Sequence, residues 1–477
     1  MNRRRSKQIA FHDSPIGFQG ARIFPDNRWV KLSTIIPWDL VDEIYAKNFE
    51  DRIKGNVAID SRIAFGALII KEELCLSDEE TVRMICENPH CQYFLGFSEF
   101  TDVAPFDSSK MVAFRRRFPI EAVARINEAM IRAQSEADEA PRDKDDDPDN
   151  HGTLILDATC APADVHYPTD ASVLNDARLL SERLIDELHD PSGGRSKPRT
   201  YRKKARKSYL LLARSKRPGY RLIRGTIRAQ LQFIHRNLGH IERLSERCPL
   251  TEKQKRELAV VMQVHDQQRE MYDLRQRQVP NRIVSTSQPH VRPIVRGKRS
   301  ARVEFGAKIA MSLEEGYARI EKLSWDAFNE SQTLKDSCER YRERHGYYPE
   351  RILADKIYRT RDNLNYCAAH GIKLNGPKLG RPPKDRTLYN EQKRQERLDA
   401  GERNAIEGKF GEAKRRYGLN RVMTRQAASS ETTIAMIVLV MNLKKVLRDL
   451  FCAFLLRLFQ RPMGVISRRS GKPAFAQ

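Results

Sequence analysis

The chain has 477 residues, 40% hydrophobic and 31% charged, which supplies a packed core and excludes wholesale disorder. Its 86 Lys and Arg against 63 Asp and Glu leave a formal charge of +23, pointing to a polyanionic partner, nucleic acid or an anionic membrane surface. The membrane is the weaker option, because the longest apolar run, Ile434 to Val440, meets Asn442 and Lys444–Lys445 well short of the roughly 20 residues of a span. The basic start, Met-Asn-Arg-Arg-Arg-Ser-Lys, has no apolar core behind it and does not read as a secretory signal. Eight scattered cysteines form no CxxC pair. They read as reduced thiols of a cytoplasmic protein.

Residues 1–135 are predicted to be helical. Ile63, Ala64, Ala67, Leu68 and Ile70 lie at helical spacing behind Asp60-Ser61. Ser77 and Glu80 have the spacing of a capping box, and that helix ends near Pro89. A basic helix follows from about Asp107, carrying Lys110, Arg115, Arg116 and Arg117, and Pro119 opens another over Ile120–Ile131. The succession fits a helix-turn-helix-like DNA-binding domain that grips phosphates through those four cations. It fits a plain bundle with solvated arginines equally well. Residues 136–150 form an acidic, Pro-punctuated linker, and a domain boundary belongs there.

Beyond the linker, Thr153-Leu154-Ile155-Leu156 is an apolar run ending in Asp157, as a buried strand does. Residues from about 170 to 280 are basic and helical. Lys197 to Lys216 interleaves Arg and Lys with Tyr201 and Tyr209, a composition that tracks a nucleic-acid backbone. Ile223, Ile227, Leu231, Ile234, Leu238 and Ile241 keep helical spacing; after Pro249-Leu250-Thr251 it resumes through Leu258, Val261, Val264 and Met271. This is an antiparallel helical hairpin, read as an insertion without a core of its own. Strands are predicted at Val303–Ile309, Tyr317–Ile320, Arg351–Asp355 and Ile372–Leu374. A Pro/Gly/Lys turn spans 376–384, helix occupies Arg386–Leu458, and 446–477 reads as a basic C-terminal tail.

Two acids stand at the ends of apolar strands: Asp157 in Leu-Asp-Ala-Thr-Cys and Asp355 in Ala-Asp-Lys-Ile-Tyr. Sites in open α/β sheets gather at strand carboxyl ends, and carboxylates on two neighbouring strands can hold a hard cation such as magnesium. Either acid alone is as readily a turn residue. Arg403, Glu407 and Lys414 fall on one helical stripe, at i, i+4 and i+11. Such a stripe is commonly a solvated face.

Taken together, these segments resemble the DDE transposases of bacterial insertion sequences. The matching segments are Leu-Ile-Leu-Asp157-Ala-Thr-Cys-Ala-Pro, Ile-Leu-Ala-Asp355-Lys-Ile-Tyr and Arg403-x-x-x-Glu407-(six residues)-Lys414. The family's last motif also carries a Tyr three residues before the Arg, where this chain has Ala400. The likeness extends through Tyr167-Pro168-Thr169-Asp170, Gln288-Pro289-His290-Val291-Arg292-Pro293 and Ser324-Trp325-Asp326-Ala327-Phe328-Asn329. The 198 residues between the first two acids exceed a bare core, and the basic helical stretch accounts for the excess.

The resemblance implies an α/β fold: an RNase H-like mixed sheet with flanking helices over 151–445, a long helical insertion after the first strand, and an all-α N-terminal domain. It implies an enzyme that binds the ends of an insertion sequence, cleaves phosphodiester bonds and joins 3′-OH ends to target DNA. Asp157, Asp355 and Glu407 would hold two magnesium ions, with manganese as a substitute, and no small-molecule cofactor is called for. Arg403, Lys414 and Lys356 would contact phosphate. Trp325 is either a base-stacking residue or core packing, and His290 a supporting or core residue. The partners implied are double-stranded DNA, as terminal inverted repeats and target, and a second copy of the chain on that DNA. Ile434–Leu456 is a candidate interface or a helix packed on its own core. The expected compartment is the bacterial cytoplasm, at the nucleoid. Two rivals stand beside this reading: an inactive or repurposed transposase acting as a DNA-binding regulator, and a metal-dependent nuclease that cuts without joining.

Overall fold

The computed structural model describes residues 18–49, 58–138, 150–190, 196–295, 303–376 and 385–459. Among them the chain opens with helices α1 (Arg28–Ile35), α2 (Trp38–Ala46), α3 (Ser61–Leu74), α4 (Asp78–Glu87), α5 (Pro89–Phe94), α6 (Lys110–Arg117) and α7 (Ile120–Asp138). Local chemistry sets their starts. The Asp60 carboxylate accepts from the Arg62 N–H, and Ser77 and Glu80 close a reciprocal capping box. Asn88 accepts from His90 and Cys91 while Pro89 takes the first position of α5. The helix α3 buries almost every residue from Ala64 to Ile70 and forms the middle of the bundle.

Among the described residues six strands make one mixed sheet: β1 (Thr153–Pro162), β2 (Arg292–Val295), β3 (Val303–Glu314), β4 (Tyr317–Ser324), β5 (Arg351–Ala354) and β6 (Lys373–Leu374). β1 is central, antiparallel to β3 and parallel to β5; β5 continues in parallel to β6. β3 also takes β2 and β4, both antiparallel. Glu315 and Gly316 make the β3–β4 turn with φ of 51° and 81°, the left-handed pair that a tight hairpin needs. Gly306 is required by close approach, since a Cβ there would lie 2.0 Å from the Ala161 carbonyl oxygen. β2 was not foreseen because Pro293 interrupts it, which an edge strand tolerates.

The predicted hairpin is present as α10 (Tyr220–Ser245) and α11 (Glu252–Leu274), preceded by α8 (Asp170–Leu188) and α9 (Arg202–Ala213). The expectation that this insertion lacks a core is corrected. Val173, Leu174 and Ala177 of α8 close with Leu231, Ile234, Val261 and Val264 into an apolar cluster of their own. α8 supplies the third wall, and its alternation of apolar and charged residues hid that role.

After β4 come α12 (Leu334–His345), α13 (Arg361–Ala369), α14 (Arg386–Arg416) and α15 (Ala427–Phe459). The main core does not stop at the first seven helices. It runs from α3, α6 and α7 through β3 and β4 to Ile406 and Phe410 of α14 and Ile434–Met441 of α15. Ile434–Met441 is buried on every side, as a helix apolar all round should be. That part of the predicted interface is interior to one chain and cannot meet a second copy. Polar contacts pin the same junction: Arg319 of β4 meets Glu128 of α7 at 2.8 Å, and Asn442 of α15 bonds both Ala318 and Asn127. The opposite face of the sheet packs Leu154, Leu156 and Ile352 against Leu334, Cys338 and Tyr341 of α12.

The acidic linker lies outside the described residues apart from its first residues, to Asp138, which extend α7, and Asn150; so does most of the 376–384 turn. The proposed tail is helical to Phe459, as the continuation of α15, and its remainder is outside them too. Among the described residues no helix is long and apolar enough to cross a membrane. All eight cysteines are free thiols.

Candidate active site

The parallel pairing of β1 with β5 runs from Thr153 opposite Arg351 to Leu156 opposite Ala354. Asp157 and Asp355 are the next residues on each chain, so the register itself sets the two acids side by side. The sequence placed Asp157 at the end of its strand. β1 instead continues to Pro162, because Ala158–Pro162 still pair with Ala310–Gly306 of β3. The strand that ends is β5, and the missing partner beyond Ala354 opens space at Asp157.

Asp157 shares a face of β1 with Ile155, since side chains alternate along a strand. α14 covers that face, with Asp399, Ile406, Phe410 and Ala413 on its buried stripe. Arg351 clamps the helix down: it bonds Thr153 at 2.8 Å and Glu402 at 2.6 Å. This places Arg403 over the acids. Its guanidinium reaches Asp157 Oδ2 at 3.4 Å and Glu407 Oε1 at 2.9 Å, so one cation ties the first and third predicted acids together. Lys414 follows seven residues after Glu407, close to two full turns along the same stripe. Glu412 is turned to a different partner, Lys409, at 3.1 Å.

Burial pushes the Asp157 carboxyl above its usual range. The Ala158 N–H and Arg403 oppose that rise, while Glu330 and Asp355 add to it. Glu330 is the residue that sequence reasoning missed. It begins a short 3-10 turn, Glu330–Thr333, capped by Asn329, and is held by Lys308 of β3 at 2.9 Å. An Asn-Glu-Ser-Gln stretch signals a cap and carries no hint of a site. Tyr358 is buried nearby and its phenol is held above the ordinary range, chiefly by burial and further by Glu330, Asp157 and Asp355.

The chemistry of this donor set suits a hard divalent cation: oxygen ligands whose mutual repulsion a metal relieves. Its spacing is a separate matter. Among the described residues no three His, Cys, Asp or Glu side chains are gathered closely enough to hold a metal, and Arg403 bridges Asp157 and Glu407.

The remaining predicted residues divide by exposure. On α6, Lys110 and Arg116 face solvent. Arg115 is buried against Asp78, with one bond of 3.0 Å, and Arg117 bonds the Tyr45 hydroxyl at 2.6 Å and lies over the Phe49 ring. Arg115 therefore cannot contact phosphate as the sequence suggested, because three consecutive arginines point about 100° apart and one of them must face the bundle. Arg115→Met should cost about 2 kcal/mol of stability by stranding Asp78. Arg116→Met should leave the urea midpoint unchanged, and chemical denaturation of the two variants checks the difference.

Lys356 is exposed directly after Asp355. Trp325 is half-buried; its indole N–H donates to Glu431 at 2.7 Å, and His290 meets the ring edge-on at 4.3 Å. Burial, with a smaller push from Arg292, brings the His290 imidazole down to about 4 from its ordinary 6.5. Between those values the unfolded chain binds a proton that the folded chain refuses, so stability is full above 6.5 and falls as pH drops toward 4. Thermal melts across that window should show a steeper loss for the parent chain than for His290→Gln.

Comparison with known proteins adds two family matches. Residues 352–444 match the family described as "Transposase DDE domain", and residues 19–117 match "Transposase domain (DUF772)". Over 151 residues the chain is 31% identical to an uncharacterized protein, ORF8 in the nfe locus of Rhizobium meliloti, covering 32% of this chain and 69% of that one. No solved structure matches.

Proposed function

Because this chain belongs to the DDE transposases of insertion sequences, we propose that it binds the inverted repeats at the ends of its element, cuts the DNA there and joins the freed 3′-OH ends to target DNA. The observation that carries this reading is the placing of Asp157 and Asp355 side by side, each one residue beyond the last paired position of parallel strands β1 and β5, with Glu407 tied to Asp157 through Arg403. The spatial order β4-β3-β1-β5-β6, antiparallel through β1 and parallel beyond it, supports an RNase H-like core over residues 151–445. The insertion leaves it between β1 and β2. Residues 1–135 are assigned to DNA binding, 136–150 to a linker and 446–477 to a C-terminal extension.

Asp157, Asp355 and Glu407 would hold two divalent ions, magnesium or manganese. When bound, such ions lower the pKa of an attacking water and stabilise the oxygen that leaves. In the first step water attacks the scissile phosphorus, the bond to the 3′ oxygen breaks, and that oxygen takes a proton. In the second the new 3′-OH attacks a phosphorus of target DNA and displaces the target's own 3′ oxygen. The chain's residues orient both steps. Arg403 and Lys414 hold phosphate beside the acids by charge-assisted bonds, and Lys356 does so at the Asp355 end. Lys308 fixes Glu330 against the same cluster. No covalent protein–DNA bond is called for.

Joining two ends needs two sites in one complex, so the working species is a dimer on DNA at the nucleoid. With Ile434–Met441 interior, the interface must lie elsewhere. The DNA flanking the gene, searched for short inverted repeats, supplies the test substrate. The full chain should shift a duplex ending in the repeat more strongly than a random duplex and should nick it only when magnesium is present. Equal binding to both duplexes, or no nicking, overturns the reading.

A further inference from the structure

A groove of about 870 Å³ opens where the N-terminal helices, the insertion and the α14–α15 connection meet. Three separate parts of the chain bring cations to it: Arg116 from α6, Arg183 from α8 with Lys253 and Arg256 from α11, and Arg425 from the connection. One acid, Glu257, stands among these five cations and is paired with Arg183 at 2.8 Å. Glu257 also lies 4.0 Å from the Lys253 ammonium, yet the cations stay open to solvent: Lys253 is 75% accessible, and Arg256 and Arg425 are exposed. The Arg116 guanidinium bonds the Gln426 side chain at 2.7 Å, which joins α6 to the connection across one wall. Thr286 and Ser287 also line the groove, and their hydroxyls are of a kind suited to bond phosphate oxygens.

Resting on the DNA-transposase reading, we propose that this groove seats the phosphate backbone of duplex DNA, so that the helical insertion and the N-terminal basic helix grip the same stretch of DNA. The arrangement of the charges argues for an extended ligand. They come from elements more than 300 residues apart in sequence, from Arg116 to Arg425, and line one open channel. A small anion would need them converged on a point. A backbone meets them in succession, and each phosphate neutralised releases condensed counterions. The groove also gives the insertion a role beyond loose affinity: it forms one wall of a shared binding surface.

The test measures binding of the full chain to an element-end duplex by fluorescence anisotropy across a salt series. The groove variant is Lys253→Glu, Arg256→Glu and Arg425→Glu together. The control carries the same charge change at Arg269→Glu, Arg342→Glu and Lys373→Glu, all of which are exposed; Arg269 projects from α11 on the side away from Lys253 and Arg256. The groove variant should bind about a hundredfold more weakly, and its slope of log affinity against log salt should be shallower by about 0.9 for each phosphate that is no longer neutralised. The control should stay within a few-fold of the parent, and matching circular dichroism melts should show both variants folded. Equal weakening in groove and control variants, or parental binding by the groove variant, overturns the groove while leaving the DNA reading in place. Failure of the parent chain itself to bind DNA removes that reading, and this one with it.

Discussion

Glu407→Gln should nick a labelled element end at least a thousandfold more slowly than the parent chain, while Glu412→Gln cuts at close to the parental rate. The substitution keeps the shape of the side chain and removes the negative charge. A metal ion supplies several kcal/mol of charge stabilisation, and each ~1.4 kcal/mol is tenfold in rate. The two acids are five residues apart on α14, which turns a helix about 140° beyond one full turn. They cannot serve one site, and the contacts agree: Glu407 shares Arg403 with Asp157, whereas Glu412 is paired with Lys409. Binding to the element end should stay within a few-fold for both variants, since neither acid contributes attraction for phosphate. Full nicking by Glu407→Gln would remove it from the ligand set.

The largest stability effect is expected at Asn442, which lies away from the acids. Its amide donates to the Ala318 carbonyl at 2.8 Å and to Asn127 Oδ1 at 2.9 Å, and its oxygen accepts from the Ala318 N–H at 2.9 Å. All three residues are buried. Asn442→Ala strands a backbone N–H, a carbonyl and a side-chain amide where water cannot reach them. At about 1–3 kcal/mol for each orphaned group, the loss should be about 3–5 kcal/mol. Asn442 belongs to α15, Asn127 to α7 and Ala318 to β4, so the change should lower the urea midpoint of helices and sheet together in one transition. Separate transitions would show that the N-terminal helices fold independently of the sheet.

How far the sequence revealed this depends on whether a residue's role was local. Asp157 and Asp355 were legible because an apolar strand followed by an acid is a short-range pattern, and Glu407 because Arg403 and Lys414 mark its helical stripe. The capping box at Ser77 and Glu80 and the α10–α11 hairpin were legible for the same reason. Arg115 was not: its neighbours Arg116 and Arg117 look identical in sequence, and only Asp78, 37 residues away, decides which arginine is buried. Glu330 was hidden because Lys308 and Asp157, its partners in space, lie on two other strands. Ile434–Met441 announced itself as apolar, and of its two readings, interface or core packing, the structure shows core packing; which elements it packs on was hidden, because its partners in α3, α7 and β4 are more than a hundred residues away.

Whether the enzyme joins strands or only cuts them separates a transposase from a nuclease built on the same core and from a regulator that does neither. The direct measurement supplies the full chain with a pre-nicked, labelled element end bearing a free 3′-OH, a supercoiled plasmid and magnesium. Label should become covalently attached to the plasmid, and attachment should disappear with Asp157→Asn and when the 3′-OH is replaced by hydrogen. A parent chain that nicks the end but never transfers label to the plasmid contradicts the account.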